Sequence, residues 1–550
     1  MPPEPHASER FVRHARTFAL VTLISRFFGL GRDMLLSRLL GVGAVSTAFN
    51  NAFAFPNTFR RLFGEGALSA AFIPEYTQTL ERDPALAARF ASLTIAALTA
   101  ALGAITLVIE IVLALVLAFA DIAPEGRYAY TLLMVMLPYM PLVCITAVMG
   151  GMLQTHSRFA TQAAAPILLN IAMIAAAIGA GLIAGASKQT IGLWVSISVT
   201  LAGILQFFWC LRDLKGRTMW SRIFDGAREP FIRMLKRMGP VFLGLGAMQL
   251  CTLFESQVLL QYPLNTSSGT IQLPWNAAPI AYPLDEAAGS ILGWAQRLYQ
   301  FPLGVFGIAL ATAVFPLLAR QANDPSAFLA TLRRSIRLSL FIGLPATLGM
   351  LFVRTNLVAV IFLGRELKAE DVPRMGNVLF MYAAAIGAFS LTHVLTRAFY
   401  ARGAMKIPTN LALVTVALTL ILDVTLMWPL KEAGLALAAS IAAGVQCLLL
   451  LWFAHRLHPG QPTIDRATLS SIARTLIASL LMLGALFLVQ HFWPQPAIGR
   501  WTHHLIRLLA DVAIGGIIYF AAARLLLAQE LRWLRDRPAR DSSPTPDDVR

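Results

Sequence analysis

Charge is what this sequence has least of. Of its 550 residues only 13% are Asp, Glu, Lys or Arg, and 57% are hydrophobic. Soluble globular chains hold nearer to about a quarter charged, so a set of soluble domains is excluded. Cysteine is scarce too: Cys144, Cys210, Cys251 and Cys447 stand apart in apolar segments, with no CxxC pair and no neighbouring histidine cluster. That pattern excludes a disulfide framework and a zinc site, and makes the four thiols small buried hydrophobes. The chain has no P-loop, no nucleophile elbow and no helical HExxH, which excludes ATP-driven work and intramembrane hydrolysis by known motifs. It has no basic amphipathic helix or basic–aromatic module either. The formal charge of +16 therefore does not point to nucleic acid.

What the sequence has in abundance is apolar runs near the length that crosses a bilayer as helix. Fourteen spans are expected, near 16–40, 45–74, 88–120, 129–153, 161–184, 190–211, 238–260, 290–318, 331–353, 375–400, 407–429, 433–456, 467–491 and 502–528. No alternating strand pattern competes with them, so the expected fold class is an all-α polytopic membrane protein. The second run is interrupted by Pro56, Arg60, Arg61 and Glu65, as a broken helix would be.

The connections carry a sidedness signal. With residues 1–15 as a cytoplasmic tail, the even-numbered loops should be basic. The sixth, 212–237, holds Arg212, Lys215, Arg217, Arg222, Arg228, Arg233, Lys236 and Arg237; the tail 529–550 holds Arg532, Arg535, Arg537 and Arg540. On the opposite side, 261–289 has no Lys or Arg at all. Both termini are expected in the cytoplasm. The 261–289 stretch, rich in proline and Asn-Thr-Ser-Ser-Gly, reads as an external insertion, either disordered or a lid.

A faint repeat accompanies this pattern. ALSAAFIP (67–74) is echoed by ALATAVFP (309–316), each with Phe-Pro upstream. Repeated halves suggest two lobes, 16–211 and 238–456, joined by 212–237 and followed by a helix pair at 467–528. Transporters built from repeats hold their cargo where the halves meet.

Charges inside spans say what that cargo is. An ionised group at mid-membrane costs at least a few kcal/mol, so it persists where it meets a wet cavity, a partner or a ligand. Arg26, Arg32, Arg60, Arg61 and Arg297 give five positives, and Asp33 and Glu65 give two negatives, leaving a surplus of three. A low dielectric does not tolerate that surplus without an anion. Guanidinium suits bidentate phosphate binding, so a phosphorylated ligand is expected. Arg38, beside Gly41 at a span end, reads instead as snorkelling to the interface. Glu110, Glu255, His393 and Asp423 are each isolated in their spans, and could serve a proton or a cation or tie helices together.

The motifs SRFFGLGRD (25–33), FPNTFRRLFGEGALSAAFIP (55–74), GGMLQTHSRFATQAAAPILLN (150–170), QRLYQFPLGVFGIALATAVFPLLAR (296–320) and FYARGAMKIPTNLALV (399–414) resemble, in order, those of the MurJ/MviN lipid II flippases. These belong to the multidrug/oligosaccharidyl-lipid/polysaccharide exporter superfamily. The resemblance implies two pseudo-symmetric six-helix lobes plus two C-terminal helices in the bacterial inner membrane. It also implies translocation of the undecaprenyl-pyrophosphate-linked peptidoglycan precursor by alternating access, a transport function and not an enzymatic one. The implied partners are lipid II or a similar polyprenyl-pyrophosphate glycolipid, membrane lipids and the cell-wall synthesis machinery; no cofactor is implied, and coupling to a monovalent cation or a proton is left open.

Carried over by motif, the pyrophosphate-holding arginines are Arg26, Arg32, Arg60 and Arg297, with Arg61 adjacent. Asp33 and Glu65 are left to position arginines or close a gate. The sequence departs from the family pattern at Thr47 and Gln296, where aspartate is common, and at Ala54, where lysine is frequent. The alternatives are a flippase for another polyprenyl-linked oligosaccharide and a non-transporting cell-wall scaffold. A multidrug cation antiporter fits less well, since its cavity should be acidic.

Overall fold

The computed structural model describes residues 24–535 except 65–66, 157, 159, 273–275, 277, 365, 458–459 and 499. Glu65, one of the two expected acids, lies outside the described residues. The chain is an all-α polytopic membrane protein. Among the described residues ten helical stretches are long and apolar enough to cross a membrane, or eleven if a pair bent by 44° at 288–320 is counted as one span. The expected spans 16–40, 45–74 and 238–260 are the ones outside this count. The second is broken near Arg60 into two helices of 16 residues each, and of the first only residues 24–40 are described.

The chain divides into two compact units. The first takes residues 1–297, 361–375 and 412–438. It begins with α1 (residues 24–40) and α2 (Ala44–Phe59), continues through a π-turn (Arg60–Gly64), and enters α3 (Ala67–Arg82). Pro56 inside α2 lacks an N–H and frees a carbonyl one turn back, and the π-turn follows directly. Then come α4 (Pro84–Phe119), α5 (Pro124–Met136), α6 (Tyr139–Thr155), α7 (Ala160–Ala177), α8 (Lys188–Leu214), α9 (Arg228–Phe254) and the short α10 (Tyr262–Asn265). Asp83 starts α4 by accepting from the N–H groups of Ala85 and Leu86, with Pro84 preset at the first helical position. A core of Phe72, Tyr76, Phe90, Met149, Met152 and Met234 joins α3, α4, α6 and α9.

The basic 212–237 connection is tied to this core. Glu75 of α3, 2% exposed, meets Arg233 Nε at 2.9 Å and Arg237 Nη1 at 3.1 Å. The 261–289 insertion is folded in its described residues. It carries a small antiparallel hairpin, β1 (Thr270–Ile271) and β2 (Ile280–Ala281), which the sequence pattern did not announce. The Tyr262 and Tyr282 rings pack at 4.5 Å, tilted by 41°, and their hydroxyls donate to the carbonyls of Thr270 and Leu259. Asn265 donates to the Tyr130 hydroxyl at 2.7 Å and docks the insertion on α5. At its end, burial pushes the Asp285 carboxyl up, but hydrogen bonding and charge from Arg374 outweigh it and hold Asp285 below the usual range.

Helix α11 (Ala288–Pro302) starts in the first unit. Thr47 is fully buried, and its hydroxyl accepts the Ser290 N–H at 2.9 Å, so it caps the start of α11. Replacing Thr47 by valine keeps the shape and removes the acceptor. It should cost about 1–2 kcal/mol, read as a lower thermal midpoint of the purified protein. An unchanged midpoint would deny the cap any weight.

The second unit takes residues 298–360, 376–411 and 439–550. Helices α12 (Ala309–Arg320), α13 (Pro325–Phe362), α14 (Asp371–Ala383), α15 (Ile386–Ala401), α16 (Lys406–Leu430) and α17 (Glu432–Ala454) lie wholly or partly in it. It ends with α18 (Arg466–Phe492), α19 (Trp501–Leu525) and α20 (Glu530–Arg535). A π-turn, Leu303–Ile308, precedes α12 and follows Pro302, so the two repeated FP segments break in the same way. Phe341 of α13 packs with Met482 and Leu486 of α18 and Tyr519 of α19, whose hydroxyl donates to the Phe341 carbonyl.

Polar ties close this three-helix cluster at both ends. At one, Glu530 accepts from Arg337 and Ser471 at 2.6 Å each. At the other, Asn356 pairs with Gln495 and with His504, while Arg507 and Asp511 form a fully buried ion pair at 2.9 Å.

Candidate functional site

The site is built on α1, where Ser25, Arg26, Gly29 and Arg32 recur with helical spacing and share a face. Phe27 and Phe28 stand on the other side, 56% and 38% exposed, where lipid would meet them. Arg26, Gly29 and Arg32 line a cavity of about 530 Å³. Its other walls come from α2 and the π-turn (Phe53, Asn57, Arg60, Arg61), from α6 (Tyr139, Val143, Thr146), from α7 (Gln162, Pro166, Asn170), from Gln206 of α8 and from Arg297 of α11. All five expected arginines therefore stand round one space. Asp33 is behind them and Arg38 is elsewhere, its stem packed on Gly364.

Each arginine that can be followed is held by a specific group. Arg32 is 7% exposed; its Nε and Nη2 reach Asp33 Oδ1 at 2.9 and 2.6 Å, and its Nη1 donates to Asn170 Oδ1 at 2.9 Å. Its guanidinium also lies over the Phe53 ring at 5.8 Å. Asp33 Oδ2 faces Arg297 Nε at 3.7 Å, so one carboxylate braces two cations. Arg60 donates from Nε to Asn57 Oδ1 at 3.0 Å, one turn back. On α7, Pro166 cannot bond the Gln162 carbonyl, and Gln206 donates to the adjacent Ala165 carbonyl at 2.7 Å.

Asp33 is thus the one acid among the described residues that braces cavity arginines. The cavity also offers amide and hydroxyl groups on Asn57, Thr146, Gln162 and Gln206 beside its cations. Its volume is that of a small-molecule site, about 300–1,000 Å³, which suits a polar headgroup and leaves a long hydrocarbon chain outside.

A second cluster was not visible along the chain. Glu255 and Asp423, each isolated in its own span, come together with Cys251 so that their donor atoms lie within 4.8 Å of one another. Cys251 Sγ donates to Glu255 Oε1 at 3.5 Å. Asp423 is fully buried, and neither of its oxygens has a hydrogen-bond partner among the described residues. Two carboxyls this close in a low dielectric cannot both be ionised without a proton or a cation. Nothing in either span foretold the pairing, because each residue is a lone acid in an apolar run.

A helical bundle of apolar spans around a cationic cavity has the architecture of a membrane transporter. In accord with that class, the fold matches a solved multidrug-resistance transporter of the MATE family of the MOP superfamily, in an inward-facing conformation. The TM-score is 0.62 at 13% identity, over 80% of this chain and 98% of that one. It matches a solved lipid II flippase MurJ in an inward closed conformation with TM-score 0.74 at 23% identity, over 93% and 99%. The family model of the lipid II flippase MurJ matches residues 36–504. The probable lipid II flippase MurJ of Rhizobium tropici is 30% identical over 540 residues, 95% of this chain and 96% of that protein. The chain belongs to the lipid II flippase MurJ family, whose members are transporters and not enzymes.

Proposed function

We propose that this chain moves lipid II from the inner to the outer leaflet of the bacterial cytoplasmic membrane, with both termini in the cytoplasm. The observation that carries this reading is the convergence of Arg26, Arg32, Arg60, Arg61 and Arg297 on one cavity braced by a single described acid. A pyrophosphate supplies the missing negative charge and fits the fork of guanidinium donors. The amide groups beside the arginines are placed to meet the sugar and peptide portions of the headgroup, while the polyprenyl chain stays in lipid. Residues 16–211 and 238–456 act as the two lobes of an alternating-access cycle, and 467–528 as an accessory helix pair. The Glu255–Asp423 pair is the place where a proton or a monovalent cation would be exchanged during that cycle. Glu65, by its motif, remains a candidate for gating.

The test is rescue of a bacterial strain depleted of its own lipid II flippase. The parent protein should restore growth, and Arg60→Ala and Arg297→Ala variants present at equal membrane level should not. Arg297→Lys should keep part of the activity, since it preserves charge and loses the fork. A parent that inserts and does not rescue would move another polyprenyl-linked glycan to the front. Alanine variants that rescue fully would refute the arginine site.

A further inference from the structure

The segment Arg217–Arg228, between α8 and α9, has two unlike sides. Its polar side is fastened to the first turns of α4. Ser221 N–H donates to Ser92 Oγ at 3.1 Å, and Arg89 Nη1 donates to the Asp225 carbonyl at 3.2 Å. Gly226, at φ +76°, turns the chain so that Ala227 enters the core beneath. The other side is apolar and points away from the protein: Met219 is 76% exposed, Trp220 46%, Ile223 64% and Phe224 38%. Four exposed cations, Lys215, Arg217, Arg222 and Arg228, surround it, with Asp225 as the acid among them.

The length of α4 sets the depth at which this patch sits. Thirty-six helical residues span about 54 Å. A hydrocarbon core of about 30 Å takes some twenty of them. Counting back from the exposed Phe119 end leaves Ser92 and Arg89 roughly 10–15 Å beyond the far edge of the core, just outside the lipid headgroups and within reach of them for long side chains. An aromatic and aliphatic cluster ringed by Lys and Arg at that level has the composition of an interfacial anchor.

We propose that residues 215–228 form a fixed membrane-surface anchor that recognises anionic phospholipid headgroups. Trp220, Ile223, Phe224 and Met219 reach into the headgroup layer, and Lys215, Arg217, Arg222 and Arg228 neutralise lipid phosphates. The anchor is independent of the cargo site and would hold whichever polyprenyl glycan the cavity carries. Its assignment to the cytoplasmic leaflet follows from the basic connections, on the side that also carries the anionic surface potential.

The four native cysteines are all buried, which allows one reporter to be attached selectively. A nitroxide on Ile223→Cys of the full chain is to be read by oxygen and nickel-chelate collision. The vesicles are phosphatidylcholine alone, or the same lipid with phosphatidylglycerol. The proposal expects a label in the headgroup layer, deeper when phosphatidylglycerol is present. Adding Arg217→Gln and Arg222→Gln should shift it outward, each cation being worth about fivefold in partitioning to an anionic surface. A label on the exposed Glu229 serves as the aqueous reference.

A label at 223 as water-accessible as that reference in both vesicles overturns the anchor and leaves the patch for a protein partner. A label equally deep in both lipids and unmoved by the two glutamines overturns the recognition of anionic headgroups. None of the labelled or exchanged side chains belongs to the buried core, so loss of fold does not obscure either result.

Discussion

Replacing Asp33 by alanine should abolish rescue of a flippase-depleted strain and destabilise the protein at the same time. Asp33 is 5% exposed and stands between Arg32 and Arg297, at 2.6 and 3.7 Å. Its removal leaves Arg32 buried with only Asn170, the Met173 sulfur and the Phe53 ring around it. Breaking a buried charge pair by deleting one partner typically costs about 3–5 kcal/mol. The loss should appear as a lower thermal midpoint and as failed growth at normal membrane level. Asp33→Asn keeps the volume and gives up the charge, so it should recover less of the stability than a glutamate that preserves the sign. If a pyrophosphate-bearing glycolipid occupies the site, adding it should raise the midpoint of the Asp33→Ala protein as well, because the ligand replaces the lost negative charge. An alanine variant as stable and active as the parent would show that the arginines need no internal brace.

The second large effect is expected in the second unit, at Arg507 and Asp511. They are one helical turn apart on α19, both fully buried, and Arg507 also donates to the Trp493 carbonyl and lies over the Trp493 ring at 5.0 Å. Removing either one alone should cost about 3–5 kcal/mol, since an unpaired charge is left in an apolar interior. Replacing both together, Arg507→Met with Asp511→Leu, should return most of that loss, because the desolvation penalty disappears with the pair. The thermal midpoints of the two single variants and the double variant measure this directly. Additive losses would mean that the two side chains act separately and that the pair is incidental.

How much of this was legible in the sequence follows from where each charge stands. Arg26, Arg32, Arg60, Arg61 and Arg297 stood out because a guanidinium in an apolar run is conspicuous, and five against two is an imbalance. The broken second run was legible from Pro56 and the adjacent arginines. Of the expected spans, 45–74 departs from a single crossing helix because its break leaves two helices of 16 residues. Arg507 and Asp511 are absent from the expected site residues, although their i, i+4 spacing inside an apolar run is a signal of pairing. Glu255 and Asp423 stand out singly as acids in apolar runs, but their pairing is not legible, since only tertiary packing brings them together. Glu75 could not be told from an ordinary surface glutamate until Arg233 and Arg237 were seen to fold back on it. The 261–289 insertion reads from its prolines and polar residues as a disordered segment or a lid, and its order rests on the packing of Tyr262 on Tyr282, which composition does not reveal.

The π-turn at Arg60–Gly64 carries one residue more per turn than the helix on either side of it. That extra residue is slack, held in the backbone as a wave is held in a carpet. Should the turn tighten to α-geometry, everything beyond it would rotate by about 100° relative to α2, the angle of a single residue. Arg60 and Arg61 are consecutive, and both border the cavity in the slack arrangement. A one-residue slip would carry the second into the place of the first. The doubled arginine therefore keeps a guanidinium at the cavity wall in either register.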